Sequence, residues 1–207
     1  MRAALVAAVL ALGGCGPISG GGRVDGERFG GGESAIFDRF DFDFLGVDWE
    51  QTAIFLTDVP DACNTMEDMA EAWTDANDCD DLCDNYESVA EKRHLAPRRY
   101  WTMTVLVNTS DDREGGFDFD RDLKDGDFLA DFAWLDGENA FDRDLCENAC
   151  EDDDWDDRTE EGNDGDLEIL QHDSDLLEGD MQVDFGGDDE ANVHFTADRC
   201  DMADWFF

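Results

Sequence analysis

Lysine is almost missing from this chain of 207 residues. Only Lys92 and Lys124 occur, and together with twelve arginines they face 56 acidic side chains. A surface so poor in cations cannot build the basic patch that binds phosphates, so nucleic acid is excluded as a partner. Adhesion to anionic lipid headgroups is excluded for the same reason. Histidine is scarce too: His94, His172 and His194 form no H-x-x-x-H pair and have no neighbouring cysteine, so they make no metal set. No serine sits in G-x-S-x-G, and no glycine-rich phosphate loop is present. No apolar run approaches the roughly twenty residues that a spanning helix needs. Close carboxylate pairs occur throughout so acidic a chain, and no pair stands out as an acid–base couple.

The N-terminus carries a single charge, Arg2, then the apolar stretch Ala3 to Leu12, then Gly13-Gly14-Cys15. That stretch is too short to span a bilayer, and its charged start and small residues before a cysteine are signal-peptide anatomy. The run Leu12-Gly13-Gly14-Cys15 resembles the lipobox of bacterial lipoproteins. The resemblance implies cleavage after residue 14 and lipidation of Cys15, with acyl chains as the only membrane anchor. No Asp follows Cys15, which points to the outer membrane. Residues 16–33 hold eight glycines in eighteen positions. That composition predicts a flexible tether reaching about 25 Å.

The formal charge is −42, with 40 Asp against 16 Glu. This composition resembles the acidic, lysine-poor proteins of halophiles. Self-repulsion at such a charge destabilises a compact state. At about 1 M salt the Debye length falls to roughly 3 Å, and most of that repulsion is screened. Disorder is excluded for most of the chain, because 42% hydrophobic and 11% aromatic residues supply a core.

With Cys15 assigned to lipid, six cysteines remain, an even number that in an exported protein reads as disulfides. Cys79 with Cys83, and Cys146 with Cys150, form two C-x3-C motifs, each placing two thiols on one helix face. Antiparallel helices would give Cys79–Cys150 and Cys83–Cys146, and parallel helices Cys79–Cys146 and Cys83–Cys150; the antiparallel form is preferred. Cys63 is left for Cys200, closing a loop whose entropic stabilisation is about 4–5 kcal/mol. A four-thiolate zinc site fits neither the spacing nor an oxidising compartment.

Residues 34–207 read as one β-rich domain. Phe40-Asp41-Phe42-Asp43-Phe44 alternates as a half-buried strand does, and 52–57 is a buried strand. Helices are expected near 64–75, 79–94 and 141–150. The first begins at an Asn64/Glu67 capping box and turns Met66, Met69, Ala70 and Trp73 to one face. The second runs from an acidic start to Lys92, Arg93 and His94. Strands follow at 100–108, 115–119 and 127–135, an exposed acidic loop at 151–166, and an antiparallel meander over 166–198. Seven or eight short strands with a short helical insertion predict an antiparallel β-sandwich or a partly open barrel. The closing "FTADRC" (195–200), set against the early "DVPDAC" (58–63), resembles uncharacterised lipoproteins of deltaproteobacterial type. That resemblance implies this kind of fold and carries no activity.

Two further clusters bear on function. Asp118, Asp120 and Asp122 begin like a calcium loop, but Leu123 and Leu129 stand where an EF-hand needs Gly and Glu. Asp125 and Asp127 could join an irregular site there, and Asp152, Asp153, Asp154, Asp156, Asp157, Asp164 and Asp166 could build another. Lys92, Arg93, Arg98 and Arg99 put four cations within eight positions, which neutralise neighbouring acids or receive an anion. The expectation is a non-enzymatic, lipid-anchored envelope protein that binds or scaffolds a protein or glycan in high salt. No cofactor is implied beyond calcium. The alternatives are a calcium-dependent adhesion or carbohydrate-binding module and, third, a hydrolase.

Overall fold

The computed structural model describes residues 16–44, 47–109, 113–124, 126–152 and 158–201, without side chains at 41–44, 47–50 and 151–152. Cys15 and the expected signal peptide before it lie outside the described residues. The protein is mainly β, as its alternating stretches require. In chain order the elements are β1 (Ile18–Val24), β2 (Glu27–Gly30), β3 (Ser34–Phe44), β4 (Val47–Thr57), α1 (Ala62–Asp75), α2 (Cys79–Arg93) and β5 (Tyr100–Asn108). Then come β6 (Gly115–Phe119), β7 (Asp127–Leu135), α3 (Gly137–Ala140), α4 (Arg143–Asp152), β8 (Arg158–Glu161), β9 (Asp164–His172), β10 (Leu176–Gly186) and β11 (Asp189–Arg199).

The expected sandwich or partly open barrel is corrected to a closed barrel of eight strands. The order β10-β9-β6-β7-β5-β4-β3-β11 returns to its start because β11 also pairs with β10. Sandwich and barrel both need one apolar face per strand, so alternation alone does not separate them. The ring is not wholly antiparallel. β11 meets β3 in parallel through Asp198↔Ile36 and Arg199↔Phe37, and β6 meets β7 through Asp118↔Asp127 and Phe119↔Phe128. The single short helical insertion is also corrected. One helical pair, α1–α2, joins β4 to β5, and a second, α3–α4, lies between β7 and β8.

The barrel interior is filled by alternate residues. Phe128, Ala130, Phe132 and Trp134 of β7 point inward, as do Trp101, Met103, Val105 and Val107 of β5. Gly179 of β10 is part of this packing, since a Cβ there would stand 2.8 Å from the Phe195 ring. The run 52–57 is apolar on both faces for a physical reason. Ile54 and Leu56 enter the barrel, while Ala53 and Phe55 pack outside with Ile36, Phe40, Ala62 and Cys200.

The glycine-rich segment is not a tether. Ile18–Val24 and Glu27–Gly30 form a hairpin, and β1 pairs with β11 from Ile18↔Phe195 to Arg23↔Glu190. Composition suggested coil, but here the missing side chains permit a close approach. A Cβ on Gly22 would lie 2.0 Å from the Glu190 carbonyl oxygen. Phe29 of β2 enters the core, 5.0 Å from Trp101 and 4.9 Å from Phe132 between ring centroids. Even Pro17 is pinned, its carbonyl accepting from Thr196 N at 2.8 Å. β1 therefore starts at the barrel end at which α1 begins. β8 likewise replaces part of the expected acidic loop, pairing with β7 from Asp131↔Glu161 to Trp134↔Arg158.

Helix α1 starts two residues before the expected capping box. Its first N–H, from Ala62, is taken by Ser34 Oγ of β3 at 3.1 Å, a cap supplied by tertiary structure. Helix α2 is capped locally: Asp78 accepts from Asp81 N at 3.0 Å, and His94 closes the other end in the left-handed region. Three disulfides tie these helices down: Cys63–Cys200, Cys79–Cys150 and Cys83–Cys146. The last two are the antiparallel pairing. Replacing Cys63 and Cys200 together by serine should lower stability by about 2–5 kcal/mol in denaturant titration, whereas an unchanged midpoint would show that the bond carries no stability.

Candidate functional site

The sequence motifs are reached first. Asp118 lies exposed on β6, while Asp120 and Asp122 sit in the turn that follows. Asp120 holds the Lys124 ammonium at 2.7 Å and accepts from Asp122 N at 2.9 Å. Asp122 approaches the same ammonium at 3.6 Å. The hydrogen bond from Lys124, then that from Asp122 N, holds the Asp120 carboxyl below the usual range. A lysine thus occupies the space between two of the three carboxylates, and the third faces another strand. Among the described residues no three His, Cys, Asp or Glu groups are arranged to hold a metal ion. Asp125 and Asp153–Asp157 lie outside the described residues.

Asp118 instead lines a shallow groove on the outer barrel wall with Asp166, Glu168 and Asp180. Strand register places Asp118 opposite Asp166, and Glu168 opposite Asp180. Like charges directly opposite on one sheet face destabilise the pairing. The basic cluster is used up locally. Arg93 binds Asp68 at 2.6 Å and Asp61 at 2.8 Å, Lys92 binds Asp68 at 2.8 Å, and Arg98 binds Asp58 at 2.5 Å. The Arg93 hydrogen bond in particular depresses the Asp68 carboxyl. Arg99 binds Glu27 at 3.1 Å, and so does Arg158 at 2.8 Å, tying the β2 start to β5 and β8.

A pocket with largely apolar walls lies at the helical end. It is a cleft of about 400 Å³ between α1, α2 and the α3 segment. Met66, Met69 and Trp73 of α1 form one wall, and Tyr86 of α2 another. Tyr100, Leu135 and Phe141 form the floor, with Asp136 and Gly137 at its edge. The periodic stripe Met66, Met69, Ala70 and Trp73 is only partly buried, Met66 also packing against the apolar cluster outside the barrel. The fully buried positions of α1 are the small residues Ala62, Thr65 and Ala72, and Trp73 keeps 63% of its surface exposed.

The floor is held rigidly. Tyr100 is fully buried, and its hydroxyl donates to Ala96 O at 2.9 Å while accepting from Ala96 N at 3.0 Å. Its ring meets Phe141 edge-on at 6.1 Å and carries the Arg98 guanidinium 4.1 Å from its centroid. Asp136, only 9% exposed, caps α3 by accepting from Asn139 N at 3.0 Å and Asn139 Nδ2 at 2.5 Å. Gly137 is required beside it, since a Cβ would stand 2.4 Å from Arg98 O and 2.8 Å from the Tyr100 ring. Sequence reading missed this site. Its residues come from four separate stretches, and none forms a motif.

No family model, curated protein or solved structure matches this chain, so the site is read from its own geometry.

Two outcomes follow from these electrostatics. The melting temperature should rise across a NaCl series, because the opposed carboxylates repel less as salt screens them. The double variant Asp166→Asn/Glu168→Gln should be about 1 kcal/mol more stable than the parent at low NaCl and should lose that advantage near 2 M. Calcium at a few millimolar, compared with EDTA at each point, tests the alternative reading, since sharp stabilisation at high NaCl would establish specific sites. The second outcome concerns His172, buried against Phe37 with Arg39 Nη2 donating to its Nε2 at 3.1 Å. Burial and then the Arg39 charge lower its pKa to about 4, against the opposing pull of Asp173 and Glu114. Folding thus requires neutral His172, while the unfolded chain takes a proton near the ordinary 6.5. That contribution is complete above 6.5 and is lost as pH falls toward 4. Relative to His172→Gln, the parent should lose up to about 3 kcal/mol over that window in urea titrations; parallel pH profiles would refute it.

Proposed function

We propose that this chain is a lipid-anchored protein of the cell envelope, held by Cys15 in the outer membrane. It works without catalysis, by binding or scaffolding through the cleft at its helical end, in a high-salt medium. The observation that carries this reading is where the chain enters the barrel. Pro17 is already hydrogen-bonded to Thr196, so one residue, Gly16, separates Cys15 from the pinned backbone. β1 runs away from the helical end, so an acyl anchor on Cys15 would hold that end within roughly 10 Å of the bilayer surface. The cleft would then face the membrane-proximal space.

Three further features support the reading. The three disulfides suit an exported protein, since such bonds persist in oxidising compartments. The barrel interior is packed with aromatic and branched side chains, and the cleft outside it offers apolar walls to a ligand. The acidic outer wall suits a solvent in which charge is screened. Metabolic labelling with an alkynyl palmitate analogue tests the anchor. Label should be incorporated by the parent and lost in Cys15→Ala, and labelling that survives the substitution would overturn the assignment.

A further inference from the structure

The cleft at the helical end has a chemistry more specific than an apolar groove. Its aromatic residues come from three directions: Trp73 from α1, Tyr86 from α2, and Tyr100 with Phe141 from the floor. Aromatic faces carry the negative lobe of a quadrupole and attract cations placed over them. The Tyr100 ring already carries the Arg98 guanidinium, whose charge is matched by Asp58 at 2.5 Å. The edge of the cleft holds a nearly buried carboxylate, Asp136, fixed in place by two hydrogen bonds from Asn139. No lysine, arginine or histidine is among the lining residues. The remaining wall includes the polarisable thioether of Met66, which suits methyl groups.

We propose that this cleft binds a small soluble organic cation whose nitrogen carries apolar substituents, a quaternary ammonium compound being the simplest case. The inference deepens the binding role proposed above. Each half of such a ligand has a counterpart in the cleft. The aromatic walls and the thioether receive its methyl groups, and Asp136 together with the faces of Trp73, Tyr86 and Phe141 receives its charge. A sodium ion, present in large excess, does not compete, because apolar walls cannot replace its hydration shell. A methylated ammonium is weakly hydrated and loses little on entry. Salt removes the long-range attraction of the −42 chain for cations but leaves contacts inside the cleft nearly unscreened. The site therefore selects by contact and not by overall charge. In a protein whose whole surface attracts cations, only contact selection distinguishes one cation from another.

Calorimetry and Trp fluorescence of the folded, oxidised protein in 1 M NaCl test this, using choline and its neutral isostere 3,3-dimethylbutan-1-ol. Choline should bind, and the neutral isostere at least tenfold more weakly. Trp73→Ala should weaken choline binding tenfold or more without loss of fold, because this side chain is mostly exposed. Asp136→Asn keeps the acceptor for Asn139 N and should weaken choline by about tenfold while leaving the isostere unchanged. Equal binding of both probes would overturn the inference and leave a neutral apolar site, with the binding role intact. Binding of neither probe would also overturn it, and palmitate labelling at Cys15 would still judge the anchor separately. Choline binding unaffected by Trp73→Ala would place the cation elsewhere and equally refute the proposal.

Discussion

Everything in this structure depends on one seam. β11 meets β3 through only two residue pairs, Asp198↔Ile36 and Arg199↔Phe37, and with them the barrel closes. A two-residue parallel contact is weak by itself, and the molecule reinforces it from several sides. Cys200 N donates to Phe37 O at 2.9 Å, and the Cys200 sulfur is bonded to Cys63 at the start of α1. Arg199 reaches buried Asp38 at 3.8 Å. The rest of that edge of β11 is occupied by β1, whose glycines allow the strands to lie close. Opening the seam would expose strand edges and the aromatic interior together.

The same seam positions the helical end. The Cys63–Cys200 bond fixes the first turn of α1, Ser34 of β3 caps it, and Asp61 at its start and Asp68 at its middle receive Arg93 of α2. The C-x3-C pairs then clamp α2 to α4. The cleft is therefore walled by elements that are covalently or ionically tied, with α1 joined to the barrel and α2 to α4. Such walls hold a binding geometry without a rearrangement cost on ligand entry. In a chain this acidic, covalent bonds also have an electrostatic merit: salt does not weaken them.

Acidity acts differently in different places. On the barrel wall Asp118 opposes Asp166 and Glu168 opposes Asp180 across strands, a repulsion that salt screens. Near the helices most cations are matched to named acids, as Arg93 is to Asp68, so local pairing does what bulk salt does elsewhere. In the turn after β6, Lys124 sits between Asp120 and Asp122, where spacing alone suggested a metal. A D-x-D-x-D pattern shows that carboxylates are near one another, not what lies between them.

Much of the fold was legible. Alternation marked the strands at 100–108, 115–119, 127–135 and the closing meander, because a half-buried strand must alternate. Cysteine number and C-x3-C spacing marked the disulfides, because a helix puts i and i+4 on one face. The acidic start and the Lys92-Arg93-His94 end of α2 were readable because they are local. The closed barrel, the hairpin in the glycine run, β8 in the acidic stretch and the exposure of Trp73 were not. Each depends on a partner distant in sequence: Glu190 for the glycines, β7 for β8, and Ile36, Phe40 and Phe55 of the barrel for α1. The amino-acid sequence alone determined the charge, the oxidised cysteines and the local elements, since those follow from composition and short-range periodicity. Only the tertiary structure decided the closure and the cleft, since both arise where strands and helices far apart in the chain compete for the same neighbours.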